Sequence, residues 1–181
     1  DREYRVITAL SASKVPVAHA HHLCTDTSVI GSMFYIMDYL DGRIFWDPSL
    51  PELDIDRRKP AYDALIVAMA ALHDVDVDQV GLSDYGRAGN YFERQIGTWT
   101  KQYRASETGR LECMEALIDW LPKHIPAGGP VRLVHGDYRL DNLIVARGEP
   151  KVVAVLDWEL STLGDPLADF SYHLMTWHMP H

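Results

Sequence analysis

The chain has 181 residues, 47% hydrophobic and 24% charged, with a formal net charge of −9. That is globular composition, long enough to enclose a core. No apolar run reaches the roughly 18 residues of a membrane span, no Lys/Arg stripe offers a nucleic-acid surface, and Cys24 and Cys113 stand alone without disulfide or metal spacing, so a reducing, cytoplasmic setting is expected.

Residues DREYRVITALSAS (1–13) bring Tyr4, Val6, Ile7 and Leu10 near helical spacing and read as an opening helix. The HAHH run (19–22) has no carboxylate or cysteine at short spacing, which favours a solvated loop over a metal cluster. SMFYIMDYLDG (32–42) gathers aromatic and β-branched residues before Asp41-Gly42, predicting a buried strand that runs into a turn. PAYDALIVAMAAL (60–72) is apolar on nearly every face, so a buried helix is expected, with Pro60 at its first position and His73-Asp74 closing it. Residues 88–105 and 110–121 are patterned as amphipathic helices, the second ending near Pro122, and PAGGP (126–130) is a connector.

The character then changes. VRLVHG, NLIVA and KVVAVLDW are short β-branched runs, and RGEP (147–150) predicts a hairpin between the last two. LADFSYHLMTWH (167–178) returns to helix, with Asp165 as its cap. Helices, one strand, a small β insert and a final helix make an α+β class with a mainly helical larger part.

Polar residues concentrate on the β insert. Asp137 and Asn142 lie on the loop between VRLVH and NLIVA, and the hairpin folds Asp157, at the end of VVAVLD, back beside Asn142. An amide oxygen and a carboxylate at neighbouring strand ends suit Mg²⁺. The separate carboxylate, Asp137, can accept a proton from an attacking hydroxyl. Together they are what phosphoryl transfer needs.

His135-Gly136-Asp137, Asn142 five residues further on, and then Asp157 resemble the catalytic loop and metal aspartate of the protein-kinase-like fold. The phrase VLDWELSTLGDPLADFSY is similar to the aminoglycoside phosphotransferase family. ALHDVDVDQVGLSDYGR and NYFERQIGTWTKQY resemble its branch of kinase-like domains associated with acyl-CoA dehydrogenases. The resemblance implies an ATP-dependent phosphotransferase that moves the γ-phosphate to a hydroxyl of a small molecule, with ATP and Mg²⁺ as cofactors. It implies Asp137 as catalytic base, Asn142 and Asp157 as metal ligands, and Arg139 as a γ-phosphate contact. Met37 would line the adenine pocket, with the Asp38 carbonyl and Leu40 amide at the adenine edge, and Glu3 would pair with a nucleotide-binding lysine. His135 and Asp169 would support the site, Asp169 by hydrogen-bonding the catalytic-loop backbone. Trp158-Glu159 stand where protein kinases carry Phe-Gly, so a flipping activation switch is not expected.

The resemblance further divides the chain into a partial N-lobe (1–42: opening helix and hinge strand) and a truncated C-lobe (43–181). The Gly-rich loop and its lysine would precede the opening helix, so the chain reads as a fragment. Its hinge strand would then lack its sheet, and the bare edge invites self-association into a homodimer. The acceptor is left open between hydroxylated metabolites, hydroxyacyl-CoA and aminoglycoside-like molecules. Two other readings are a catalytically inactive nucleotide-binding module and an HD-type metal phosphohydrolase, for which His73-Asp74 would supply the metal pair.

Overall fold

The computed structural model describes residues 1–87 and 89–179. The opening helix is α1, Arg2–Leu10, which turns Val6, Ile7 and Leu10 into the core. Next come β1, Ala20–Cys24, and β2, Phe34–Met37, paired antiparallel. Helix α2 runs Ile55–His73, α3 Tyr91–Ser106 and α4 Glu112–Trp120. Then follow β3, Arg132–Val134, β4, Leu143–Val145, β5, Val152–Val155, β6, Thr162–Gly164, and finally α5, Leu167–Met175. The α+β reading and the β4–β5 hairpin hold.

Four local expectations fail for physical reasons. The HAHH run is part of a strand: His21 and His22 lie on β1, whose sequence AHHLC lacks an alternating pattern and is held by its pairing with β2. That pairing gives the hinge strand a partner, and β2 itself is not buried, with Ile36 50% and Met37 42% exposed. Pro60 sits inside α2 rather than at its first position. Five residues precede it in the helix, so its missing N–H falls within the second turn. Residues 60–72 of α2 are apolar on nearly every face, yet only the stripe Ala61, Leu65, Ala68, Met69 and Leu72 is buried, while Val67 is 68% exposed. Ala88, where the following helix was expected to begin, lies outside the described residues.

The sheets are three separate two-stranded ribbons, β1–β2, β3–β6 and β4–β5. The β4–β5 ribbon carries the predicted polar residues and is anchored on two sides. Arg43 and Val145 exchange backbone hydrogen bonds of 2.7 and 2.8 Å, and the Val155 N–H donates to the Pro16 carbonyl at 2.9 Å. Gly42 permits the first contact, because a Cβ there would lie 2.3 Å from a methyl of Ile144. The segment after β2 is thereby laid against the β4–β5 hairpin. Beneath it α1, α2, β3–β5 and Trp158 share one core. Among the described residues no helix is long and apolar enough to cross a membrane.

Candidate active site

The loop between β3 and β4 is tied down from below. Asp169, near the start of α5, is 1% exposed. Its Oδ2 accepts the His135 N–H and its Oδ1 the Gly136 N–H, both at 2.8 Å. His73, the last residue of α2, brings Nε2 to the same Oδ2 at 2.9 Å. One buried carboxylate thus joins two helices to the loop backbone. His73 thus faces Asp169 rather than forming with Asp74 the metal pair that the phosphohydrolase alternative needs.

His135 is fully buried and links loop to hairpin. Its Nδ1 accepts the Asp137 N–H at 3.2 Å, so its Nε2–H donates to the Leu156 carbonyl at 2.8 Å. Burial pushes its pKa below the usual histidine value, against the pull of the surrounding carboxylates. The ring packs edge-on against Trp158 at 4.8 Å between centroids. His135 therefore stands neutral between the loop that presents Asp137 and the strand end that presents Asp157.

Gly136 has φ +85°, and a Cβ there would lie 2.7 Å from the Leu160 carbonyl oxygen. The loop thus runs directly against the turn that follows Asp157, and only glycine fits. Asn142 then donates Nδ2 to both the carbonyl and Oδ2 of Asp137, each at 2.9 Å. The amide nitrogen is committed to orienting the carboxylate, which leaves the amide oxygen facing away from it. Leu156 N–H donates to the Asn142 carbonyl at 2.8 Å, so Asp157 follows directly on the residue paired with Asn142. Asp157 is exposed, adopts a left-handed conformation (φ 59°, ψ 65°), and its carboxylate accepts no hydrogen bond among the described residues. A free amide oxygen and a free carboxylate at adjacent strand ends fit a hard divalent cation.

The other predicted residues fall into two groups. Arg139 is exposed, pairs with Asp141, and lies 3.7 Å from Asp137 Oδ1. On the hinge, the Asp38 N–H is bonded to the His19 carbonyl at 2.9 Å, whereas the Asp38 carbonyl and Leu40 N–H have no partner among the described residues. Glu3 lies by β2, where its carboxylate and that of Asp157 add to burial in raising the pKa of the Tyr35 phenol.

Two residues near the site escaped the sequence reading. Tyr172, on α5, has its phenol pKa raised by burial and by the adjacent Asp137 carboxylate. His73 carried a signal in its place at a helix end, but nothing pointed to a partner 96 residues away. Beside the loop opens a cleft of about 580 Å³, walled by Tyr91, Phe92, Trp99, Leu160, Tyr172 and Met175, with Gly136 in its lining. Its one lining carboxylate among the described residues is Asp169, already satisfied by three donors.

The whole chain, residues 1–181, matches the APH model, the phosphotransferase enzyme family. The mouse protein acyl-CoA dehydrogenase family member 10 is 48% identical over 99% of this chain, which spans 17% of that relative's length. A crystal structure from Ralstonia eutropha JMP134, assigned to the aminoglycoside phosphotransferases, superposes with TM-score 0.94 at 54% identity, covering all of this chain and 56% of the other. A more distant structure, the GDP complex of aminoglycoside 2′-phosphotransferase-IIIa, shares the fold at TM-score 0.71 and 16% identity, covering 96% of this chain and 60% of that one.

Proposed function

The chain belongs to the APH phosphotransferase enzyme family, and from that premise we propose that it contributes the catalytic centre of an ATP-dependent, Mg²⁺-assisted phosphotransferase acting on a hydroxyl of a small molecule. The observation that carries this is the fixed Asp137: its carboxylate is held by the Asn142 amide at 2.9 Å, beside an open cleft of about 580 Å³. Asp137 takes the proton of the acceptor hydroxyl as its oxygen bonds to the γ-phosphorus; the bond from that phosphorus to the β–γ bridging oxygen breaks and ADP leaves. The Asn142 oxygen and Asp157 carboxylate would hold Mg²⁺, which offsets phosphate charge when bound. Met37 borders the adenine, and the unpartnered Asp38 carbonyl and Leu40 N–H meet its polar edge. Arg139, close to Asp137, turns toward the γ-phosphate, and Glu3 pairs with a phosphate-binding lysine.

The cleft's chemistry ranks the acceptors. Aromatic and aliphatic walls without an available carboxylate suit a hydroxyl on an apolar body, such as a hydroxyacyl group, better than a polycationic aminoglycoside. A phosphate-transfer screen on the intact protein, with ATP and Mg²⁺ against hydroxyacyl-CoAs, small hydroxylated metabolites and aminoglycosides, tests both statements. Transfer to a hydroxyacyl compound that Asp137→Asn abolishes is expected; transfer to aminoglycosides alone contradicts the acceptor ranking, and transfer undiminished in Asp137→Asn rejects the base.

A further inference from the structure

Arg2 stands at the start of α1 with a role that the reaction scheme leaves unassigned. Its Nη2 donates to the carbonyls of Tyr85 and Ser161, both at 2.8 Å. Its guanidinium lies 3.9 Å from the centroid of the Tyr85 ring. Tyr85 is 2% exposed and Ser161 1%. The Tyr85 hydroxyl meets Ser161 Oγ at 2.7 Å, and Ser161 Oγ donates to the Trp158 carbonyl at 2.5 Å. Trp158 is the residue after Asp157. Gly86 makes the approach close: a Cβ there would lie 2.4 Å from Thr162 Oγ1 and 2.6 Å from Leu163 N.

We propose that Arg2 is a positioning residue for phosphoryl transfer: it fastens α1 to the Tyr85 loop and to the turn behind Asp157, so that the helix bearing Glu3 and the loop presenting the metal carboxylate move as one body. Three features support this. A single guanidinium nitrogen serves both carbonyls while the flat face of the group covers an aromatic ring, a geometry the tetrahedral ammonium of lysine does not reproduce. Asp157 holds a left-handed conformation, which the surrounding structure must maintain. Along α1, Val6, Ile7 and Leu10 are buried, so the helix is seated on the core and Arg2 ties its first turn to the same body.

The proposal rests on the reading of Asp157 as a metal ligand, so the test separates the two. In the intact protein, Arg2→Ala, Arg2→Lys, Tyr85→Phe and the control Arg5→Ala are compared by ATP calorimetry across Mg²⁺ concentrations, by hydrogen exchange without ligand, and by melting temperature. Arg5 is on the same helix, engages Asp84 and the Gly81 carbonyl at the surface and lies farther from the Tyr85 ring, at 5.8 Å, with no bond to the Ser161 turn among the described residues. Arg2→Ala is expected to raise half-saturating Mg²⁺ by about 10–100-fold, the usual cost of losing support behind a metal ligand, and to speed exchange over residues 158–164. Arg2→Lys should recover part of this and Arg5→Ala should change neither. If Arg2→Ala fails to fold, Tyr85→Phe, which keeps the ring and removes the hydroxyl from Ser161, should shift both readouts the same way by less. A lower melting temperature with unchanged Mg²⁺ dependence and unchanged exchange overturns the proposal. If ATP binding by the unaltered protein ignores Mg²⁺, the metal reading falls instead; faster exchange at 158–164 in Arg2→Ala still supports the fastening, and unchanged exchange rejects it.

Discussion

Asp169→Asn changes two protons' worth of chemistry and almost no shape, which makes its cost readable from the geometry. Oδ2 accepts from His135 N–H and His73 Nε2, and Oδ1 from Gly136 N–H. The amide oxygen can keep the two-bond position, which turns its NH₂ toward the Gly136 N–H, donor against donor. One buried N–H left unsatisfied costs ~1–3 kcal/mol. The two surviving bonds fall from charge-assisted to neutral strength, a further ~1 kcal/mol each. The sum is ~3–5 kcal/mol, against a total stability of about 5–15 kcal/mol. For a domain of this size that is a fall in melting temperature of about 6–20 °C. Urea unfolding of the intact protein measures it, and turnover should fall in parallel because Asp137 hangs from the loosened loop. A loss below about 1 kcal/mol would refute the reasoning, since it would mean that Asp169 does not hold the loop.

Other outcomes follow from neighbouring residues. Asp137→Asn should retain ATP binding and lose about 10²–10⁴-fold in turnover, because the carboxylate acts on the acceptor and not on the nucleotide; calorimetry and a coupled ADP assay separate the two. Gly136→Ala forces a side chain into a φ of +85° and against the Leu160 carbonyl, so denaturation should show a loss of about 1–3 kcal/mol, and any retained fold should have reduced turnover. Burial holds both His135 and His173 below the usual histidine pKa. The unfolded chain therefore takes up their protons first as pH falls below about 6.5, and the stability present above that pH is lost on acidification, by up to ~2.7 kcal/mol per pH unit when both titrate. Unfolding free energies at pH 7.5, 6.5 and 5.5 should show this slope, and His173→Gln should roughly halve it; a flat profile contradicts it.

The parts legible in the sequence are those with local signals. The β4–β5 hairpin follows from two β-branched runs around Gly148, which has φ +95°, and the helices follow from apolar spacing. The strands that went unread were held by partners rather than by pattern: AHHLC pairs with β2, and the three residues of β6 pair with β3. Pro60 resembled a helix start because proline favours that position, but α2 begins at Ile55, after Asp54. At the candidate site, residue types and spacing singled out Asp137, Asn142 and Asp157, and the fold places Asn142 against Asp137 and the Asp157 strand end beside Asn142. The contributions of His73, Tyr172 and Arg2 depend on partners remote in sequence, and no local pattern encodes such a meeting.

The contact between Arg2 and Ser161 joins residues 159 apart, and this sets an order of events in the cell. At about 5–20 residues per second of synthesis, about 8–32 s separate the appearance of the two residues. During that interval α1, whose Val6, Ile7 and Leu10 face the core, can pack against earlier elements such as β1, but its tie to the Ser161 turn has to wait. The helix that opens the described fold is thus secured at its first turn only after almost all of that fold has been made.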